Sequence, residues 1–145
     1  MMKKFRKYIF AVVFSKRAPQ FLIFHRRKNW KGWEFLKGGL KEKENEMECL
    51  KREVFEESWT RKFKIIKTNH MVKYRWPRKF VKDGLKFQGA RGRLYLVQLF
   101  SKKVKIDKSE HDKFKWVDAK DALKNLTYLE QKNAFKYILK NYKLR

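Results

Sequence analysis

The order of apolar and polar residues predicts an α/β protein, a mixed sheet sandwiched by helices. Three observations carry this reading. Two apolar runs, residues 8–14 and 21–24, have the length and the aromatic and β-branched content of strands. An acidic stretch at 45–58 repeats Met47, Leu50 and Val54 at i, i+3 and i+7, the spacing of a helix with one buried stripe. The chain then returns to strand-like runs before closing on two helical patterns.

Each element has its own signal. The first residues are basic and precede an apolar run, which imitates a short signal peptide. No small-residue cleavage site follows, so residues 8–14 read as a first strand. Arg17, Ala18, Pro19 and Gln20 form a turn before the second strand. Residues 29–32 read as a polar loop, and 36–43 as a loop whose glycines let backbone approach a ligand. The helix at 45–58 starts at Asn45, a capping residue type, with Glu48 three positions on. Residues 63–76 alternate as one or two strands. Residues 92–100 form a further strand, 104–106 a short one and 114–117 another. Helices follow at 119–126 and 128–142, the second with Leu129, Phe135, Ile138 and Leu139 as its apolar face. Tyr95 on its strand and Cys49 on the helix read as packing residues.

Composition sets the bounds. One domain over residues 1–145 is expected, long enough for a sizeable core. The chain is 43% hydrophobic and 17% aromatic, which excludes a disordered basic tail. A single cysteine excludes an internal disulfide and fits the cytoplasm. No apolar run approaches the roughly 18–20 residues that span a bilayer, so no membrane partner is expected. The net charge of +25 is spread from end to end and suits polyanions such as RNA or polyphosphate nucleotides. A Lys-rich proteome gives the same composition without a partner.

Against this basic background the acids are concentrated. Lys and Arg number 40 against 15 Asp and Glu, yet Glu42, Glu44, Glu46, Glu48, Glu53, Glu56 and Glu57 lie close together. Glu53, Glu56 and Glu57 stand at i, i+3 and i+4, so a helix places them on one face, about 5–6 Å apart at Cβ. Folding gains nothing from three repelling carboxylates. A hard divalent cation, Mg²⁺ or Mn²⁺, removes the repulsion.

The same residues carry a resemblance. From Gly38, five residues lead to Glu44, seven more to Arg52-Glu53, then Val54-Phe55 and Glu56-Glu57. This resembles the Nudix box of hydrolases that act on nucleoside diphosphates linked to another moiety. Trp59 and Thr60 depart from it, where the family usually has Gly and an aliphatic residue. Gly often caps a helix there in the left-handed conformation. The run from Trp33 to Gly39 resembles the Trp-x-Phe-Pro-Lys/Gln-Gly-Gly segment of diadenosine polyphosphate hydrolases and RNA pyrophosphohydrolases, with Leu36 in place of Pro. Tyr74 to Pro77, Gln88-Gly89, residues 94–99 and Glu110 ahead of Trp116-Val117 follow the order of that subgroup.

The resemblance implies an α/β/α Nudix sandwich and a metal-dependent hydrolase. It implies that Glu56, Glu57 and the Gly38 carbonyl hold the cation. It gives Glu53 metal binding or orientation of the attacking water, and Arg52 the fixing of a neighbouring carboxylate. Glu44 takes a structural or outer position, and Glu110 binds metal or acts as base. His70 and His111 lack ligand spacing and read as surface or core residues. Arg26, Arg27 and Lys37 are candidates for phosphate contact, and Tyr74, Trp76 and Tyr95 for stacking. The expected substrates are dinucleoside polyphosphates or RNA 5′-triphosphate ends. Alternatives are a nucleoside triphosphate or ADP-ribose pyrophosphatase, or a non-catalytic basic nucleic-acid-binding module. The clustered Glu53, Glu56 and Glu57 weigh against the last, since a binder of polyanions has no use for them.

Overall fold

A computed structural model describes residues 4–15, 19–28, 30–77 and 87–144. Met1 to Lys3 at the basic start, Arg17 and Ala18 of the expected turn, and Asn29 of the expected loop lie outside the described residues. The elements run β1 (Lys4–Ser15), β2 (Phe21–Arg26), β3 (Gly32–Glu34), β4 (Leu36–Gly39), α1 (Glu46–Ser58), β5 (Phe63–Arg75), β6 (Phe87–Leu99), β7 (His111–Val117), α2 (Ala119–Asn125) and α3 (Leu129–Asn141).

The seven strands form one mixed sheet. β1 is its centre, parallel to β6 along its whole length and antiparallel to β4, and it meets β2 at Phe14↔Phe21. β6 also pairs antiparallel with β5, and β2 pairs antiparallel with β3 and β7. A central strand covered on both faces reads as a continuous apolar run, because both sides must be dry. That is why residues 9–14 carry no alternation. Ile9, Ala11 and Val13 pack with Cys49, Leu50 and Val54 of α1. Phe10, Val12 and Phe14 pack with Ala122 of α2 and Ala134, Phe135 and Ile138 of α3. Two cores on two faces give the α/β/α sandwich.

α1 begins as its sequence predicts. Asn45 accepts a hydrogen bond from the Glu48 N–H, and the Glu48 carboxylate accepts one from the Asn45 N–H. This reciprocal pair satisfies two of the donors a helix start leaves open. The helix ends on Trp59, whose φ of 56° and ψ of 23° lie in the left-handed region. Trp thus takes the conformation that Gly would supply without strain.

Several expectations are corrected. The loop expected at 36–43 starts with strand β4, and Gly32 of the expected 29–32 loop opens β3. Of the one or two strands expected at 63–76 the structure has one, which stops at Arg75 and is irregular between Lys67 and Met71. Residues 104–106 form no strand: Val104 and Ile106 pack against the α1 core, and the Lys105 N–H donates to the Glu57 carbonyl. On α3, Leu129 and Leu139 are exposed, while Gln131 is buried because its side-chain oxygen accepts from the Phe35 N–H at 2.7 Å.

Across the middle of the sheet, Lys7 of β1 faces Arg91 of β6, which faces Lys73 of β5, and all three are exposed. Like charges directly opposite one another destabilise a sheet. No helix among the described residues is long and apolar enough to cross a membrane.

Candidate active site

β4 and α1 build one wall of the site. β4 lies beside β1 and carries Lys37, Gly38 and Gly39. α1 packs over it, with the Cys49 thiol 3.7 Å from the Gly38 carbonyl. Gly38 is required here by close approach: a Cβ on it would stand 2.3 Å from the carboxyl carbon of Glu53.

Arg52 organises the acids around it. Its Nε and Nη2 donate to the two Glu44 oxygens at 2.8 and 2.9 Å, a bidentate pair. Its Nη1 donates to Glu53 at 2.8 Å and to Glu56 at 3.4 Å, and its Nη2 also reaches the Gly39 carbonyl. The Arg52 hydrogen bonds hold the Glu44 carboxyl down to about 2. Glu44 is therefore the anchor of the arginine. Glu56 is half-exposed, turned more to solvent than Glu53 or Glu57.

Glu53 and Glu57 are in the opposite condition. Burial, with repulsion from Glu56 and Glu110, pushes Glu53 up to about 7 despite Arg52. Burial, with repulsion from Glu53 and Glu110, pushes Glu57 up to about 8. The Glu57 Oε2 atom is buried and has no hydrogen-bond partner among the described residues. Buried, mutually repelling oxygens of this kind are what a hard divalent cation neutralises, so the residues fit such an ion.

The opposite wall comes from the start of β7. The Glu110 N–H donates to the Asp107 carbonyl, and the Glu110 carbonyl accepts from the Arg27 N–H, which ties this turn to β2. Glu57, Glu110 and His111 each present a ligand atom, all within 4.8 Å of one another. His111, read from the sequence as a surface or core residue without ligand spacing, is a core residue that borders the acids. It is buried, its Nε2 lies 2.8 Å from Glu34 Oε2, and its Nδ1 lies 3.8 Å from Glu57 Oε1.

Glu34, 0% exposed, is the residue the sequence reading missed. Arg26 and Lys37 contact it at 3.3 and 3.1 Å. Burial alone would raise its pKa, yet Lys37, His111 and Arg26 together bring it down to about 2. Lys37 stays charged for the reciprocal reason: burial opposes its charge, and Glu34 more than restores it. The available signal was an acid set between Trp33 and Phe35 in an aromatic run.

Between the walls lies a pocket of about 220 Å³, with Arg6, Arg26, Lys37, Lys41 and Arg52 facing Glu53 and Glu110. A second pocket of about 390 Å³ shares Arg6, Tyr8, Arg26 and Lys37 and continues to Trp30, Tyr74, Trp76 and Tyr128. Tyr74 accepts a hydrogen bond from Lys37 at 3.3 Å, and burial raises its phenol pKa. Arg27 is exposed and lines neither pocket. Tyr95 is buried in the core, its hydroxyl donating to Glu46. The arrangement can bind polyphosphate beside a carboxylate cluster and hold a flat ring against aromatic side chains.

Known proteins of this form exist. The family described as "NUDIX domain" matches residues 4–138. An RNA pyrophosphohydrolase of Helicobacter pylori (strain P12) is 28% identical over 131 residues, 86% of this chain and 84% of its own length. The E. coli dihydroneopterin triphosphate pyrophosphohydrolase has the same fold at a TM-score of 0.80, 19% identical over 97% of this chain and 100% of that one. A C. elegans Ap4A hydrolase has it at a TM-score of 0.72, 20% identical over 92% and 96%.

Proposed function

This chain belongs to the Nudix family and is a pyrophosphohydrolase, and from that premise we propose that it cleaves nucleoside 5′-polyphosphates bearing a further group, with RNA 5′-triphosphate ends or dinucleoside polyphosphates as substrates. The observation that carries this reading is the joining of two pockets. Five cations face Glu53 and Glu110 in one, and the other offers Trp30, Tyr74 and Trp76 for a base. A polyphosphate in the first places its attached nucleoside in the second. The RNA pyrophosphohydrolase relative and the diadenosine polyphosphate resemblance support the same substrate class.

The Gly38 carbonyl, Glu53, Glu56 and Glu57 are the proposed ligands of Mg²⁺ or Mn²⁺, with one Glu110 oxygen beside them and the other left for proton transfer. Such an ion, when bound, neutralises phosphate charge and makes water more acidic. The chain's own residues do the rest. Arg6, Arg26 and Lys37 grip phosphate oxygens from the basic side. Arg52 holds Glu53 against the bare Cα of Gly38, so its carboxylate keeps one position. Glu110 borders the phosphate pocket and is the proposed base. It takes a proton from water as the water oxygen bonds phosphorus and the bridging P–O bond breaks. Glu34 fixes Arg26 and Lys37, two of the three cations shared by both pockets.

The test is a panel of 5′-triphosphorylated oligoribonucleotide and diadenosine tetraphosphate with Mg²⁺ or Mn²⁺, read by product chromatography. Hydrolysis of at least one is expected, and Glu110→Gln should lower turnover by roughly 10²-fold or more. If RNA is the substrate, its binding falls steeply with salt as counterions are released. No hydrolysis of either substrate under any metal condition overturns the reading.

A further inference from the structure

We propose that His111 is a direct ligand of the catalytic cation through Nδ1, oriented by Glu34, and that this nitrogen makes the site prefer a first-row transition ion such as Mn²⁺ or Co²⁺ over Mg²⁺. The inference rests on the metal-dependent reading above and specifies its chemistry. Its starting point is an orphaned atom. His111 is 6% exposed, and its Nδ1 is buried with no hydrogen-bond partner among the described residues. A buried polar atom left without a partner costs stability unless something occupies it. His111, Glu57 and Glu110 each present one ligand atom, and these lie within 4.8 Å of one another, while the Glu57 Oε2 is orphaned too. Nδ1 stands 3.8 Å from Glu57 Oε1. That is long for a hydrogen bond, and it lies inside the limit of about 4.2 Å for two atoms that each sit roughly 2.1 Å from one ion.

The other ring nitrogen fixes the tautomer. Nε2 lies 2.8 Å from Glu34 Oε2. Glu34 also meets the Lys37 ammonium at 3.1 Å and the Arg26 guanidinium at 3.3 Å, and a carboxylate set among such donors is the acceptor. Nε2 is therefore the nitrogen that faces the Glu34 acceptor, which leaves Nδ1, on the Glu57 side, free to take an ion. A carboxylate that takes one N–H of an imidazole while the other nitrogen binds metal is a recurrent outer-shell device. The ring is also held mechanically. It lies 5.0 Å from the ring of Phe24, which is fully buried, and the His111 N–H donates to the Asp107 carbonyl. β2–β7 pairing sets His111 opposite Arg26, so one register brings the histidine, its orienting acid and the phosphate-gripping arginine together. Imidazole raises affinity for transition ions, whereas Mg²⁺ takes oxygen ligands and keeps its waters.

Pulsed EPR of the wild-type protein at one Mn²⁺ per chain tests the ligand directly. Nitrogen coupling from a bound imidazole is expected, and His111→Gln should remove it. The same variant should weaken Mn²⁺ binding by roughly 10–100-fold with a smaller change for Mg²⁺, which narrows the gap between the ions. Glu34→Gln should weaken the coupling while leaving His111 in place. Because Glu34 is buried among cations and its variant can misfold, the wild-type spectrum is decisive on its own. Mn²⁺ bound and supporting turnover without nitrogen coupling overturns this inference and leaves the hydrolase reading standing. Turnover indifferent to divalent cations, with no Mn²⁺ bound, overturns both.

Discussion

Glu57 shows how one residue can be costly to the fold and necessary to the chemistry. In metal-free protein its carboxyl titrates at about 8 and that of Glu53 at about 7, against an ordinary 4.5. Between those limits the folded chain binds more protons than the unfolded chain, so stability falls as pH rises. The melting temperature in chelator should therefore decline from about pH 5 to about pH 8 through these two groups. Glu34 acts in a separate window, its contribution being lost only as pH falls from 4.5 toward about 2. Glu57→Gln should flatten the alkaline decline, raise the chelated protein's melting temperature near pH 8 and remove most turnover. A flat wild-type profile in chelator, or near wild-type turnover of the variant at limiting Mg²⁺, contradicts this. Spacing along one helix made Glu53, Glu56 and Glu57 legible as neighbours, whereas Arg52 was expected to fix a carboxylate only through the resemblance, and its partner Glu44 lies eight positions away, ahead of the helix. Glu34 and His111 were not legible, because 77 positions separate them and only strand pairing brings them together.

At the scale of elements, α1 was readable because its cap, its stripe and its acids are all local. Strands β3 and β4 were not. Their glycines argue for loops, and their partners β2 and β1 outweigh that preference. The C-terminus of α1 is where local preference and structure conflict. Trp59 is 62% exposed in a left-handed conformation, with the Lys105 ammonium 3.5 Å from its ring centroid. A left-handed side chain costs roughly 1–2 kcal/mol. The cation–ring contact returns only about 0.5–1 kcal/mol. Trp59→Gly removes both terms, while Trp59→Ala removes the contact and keeps the strain. The Gly variant should melt about 2–8 °C above the Ala variant. Equal melting temperatures would mean that the chain relaxes out of the left-handed region in the Ala variant.

The whole molecule carries a charge of +25 with 15 acids to offset 40 bases. Many of those acids are gathered at the site, and the row of Lys7, Arg91 and Lys73 across three strands meets no carboxylate among the described residues. Self-repulsion of this size destabilises the compact state and is screened by salt. The melting temperature should rise between about 20 and about 300 mM sodium chloride. A fall over that range would show that ion pairs outweigh repulsion.

The parallel pairing of β1 with β6 also has a consequence in time. β1 spans Lys4–Ser15, but the strand that covers its long edge runs from Phe87 to Leu99. A chain made from its N-terminus presents residues 9–14, six apolar positions with no polar break, long before that partner exists. β2, β4 and α1 can cover one edge and one face of β1 meanwhile, and the other edge stays an open template for a neighbouring chain. The interval between synthesis of α1 and of β6 is thus when the nascent protein is most prone to pair wrongly. Slower translation across residues 59–99 lengthens that interval, and the yield of correctly assembled protein then depends on the speed of the ribosome as well as on the sequence it reads.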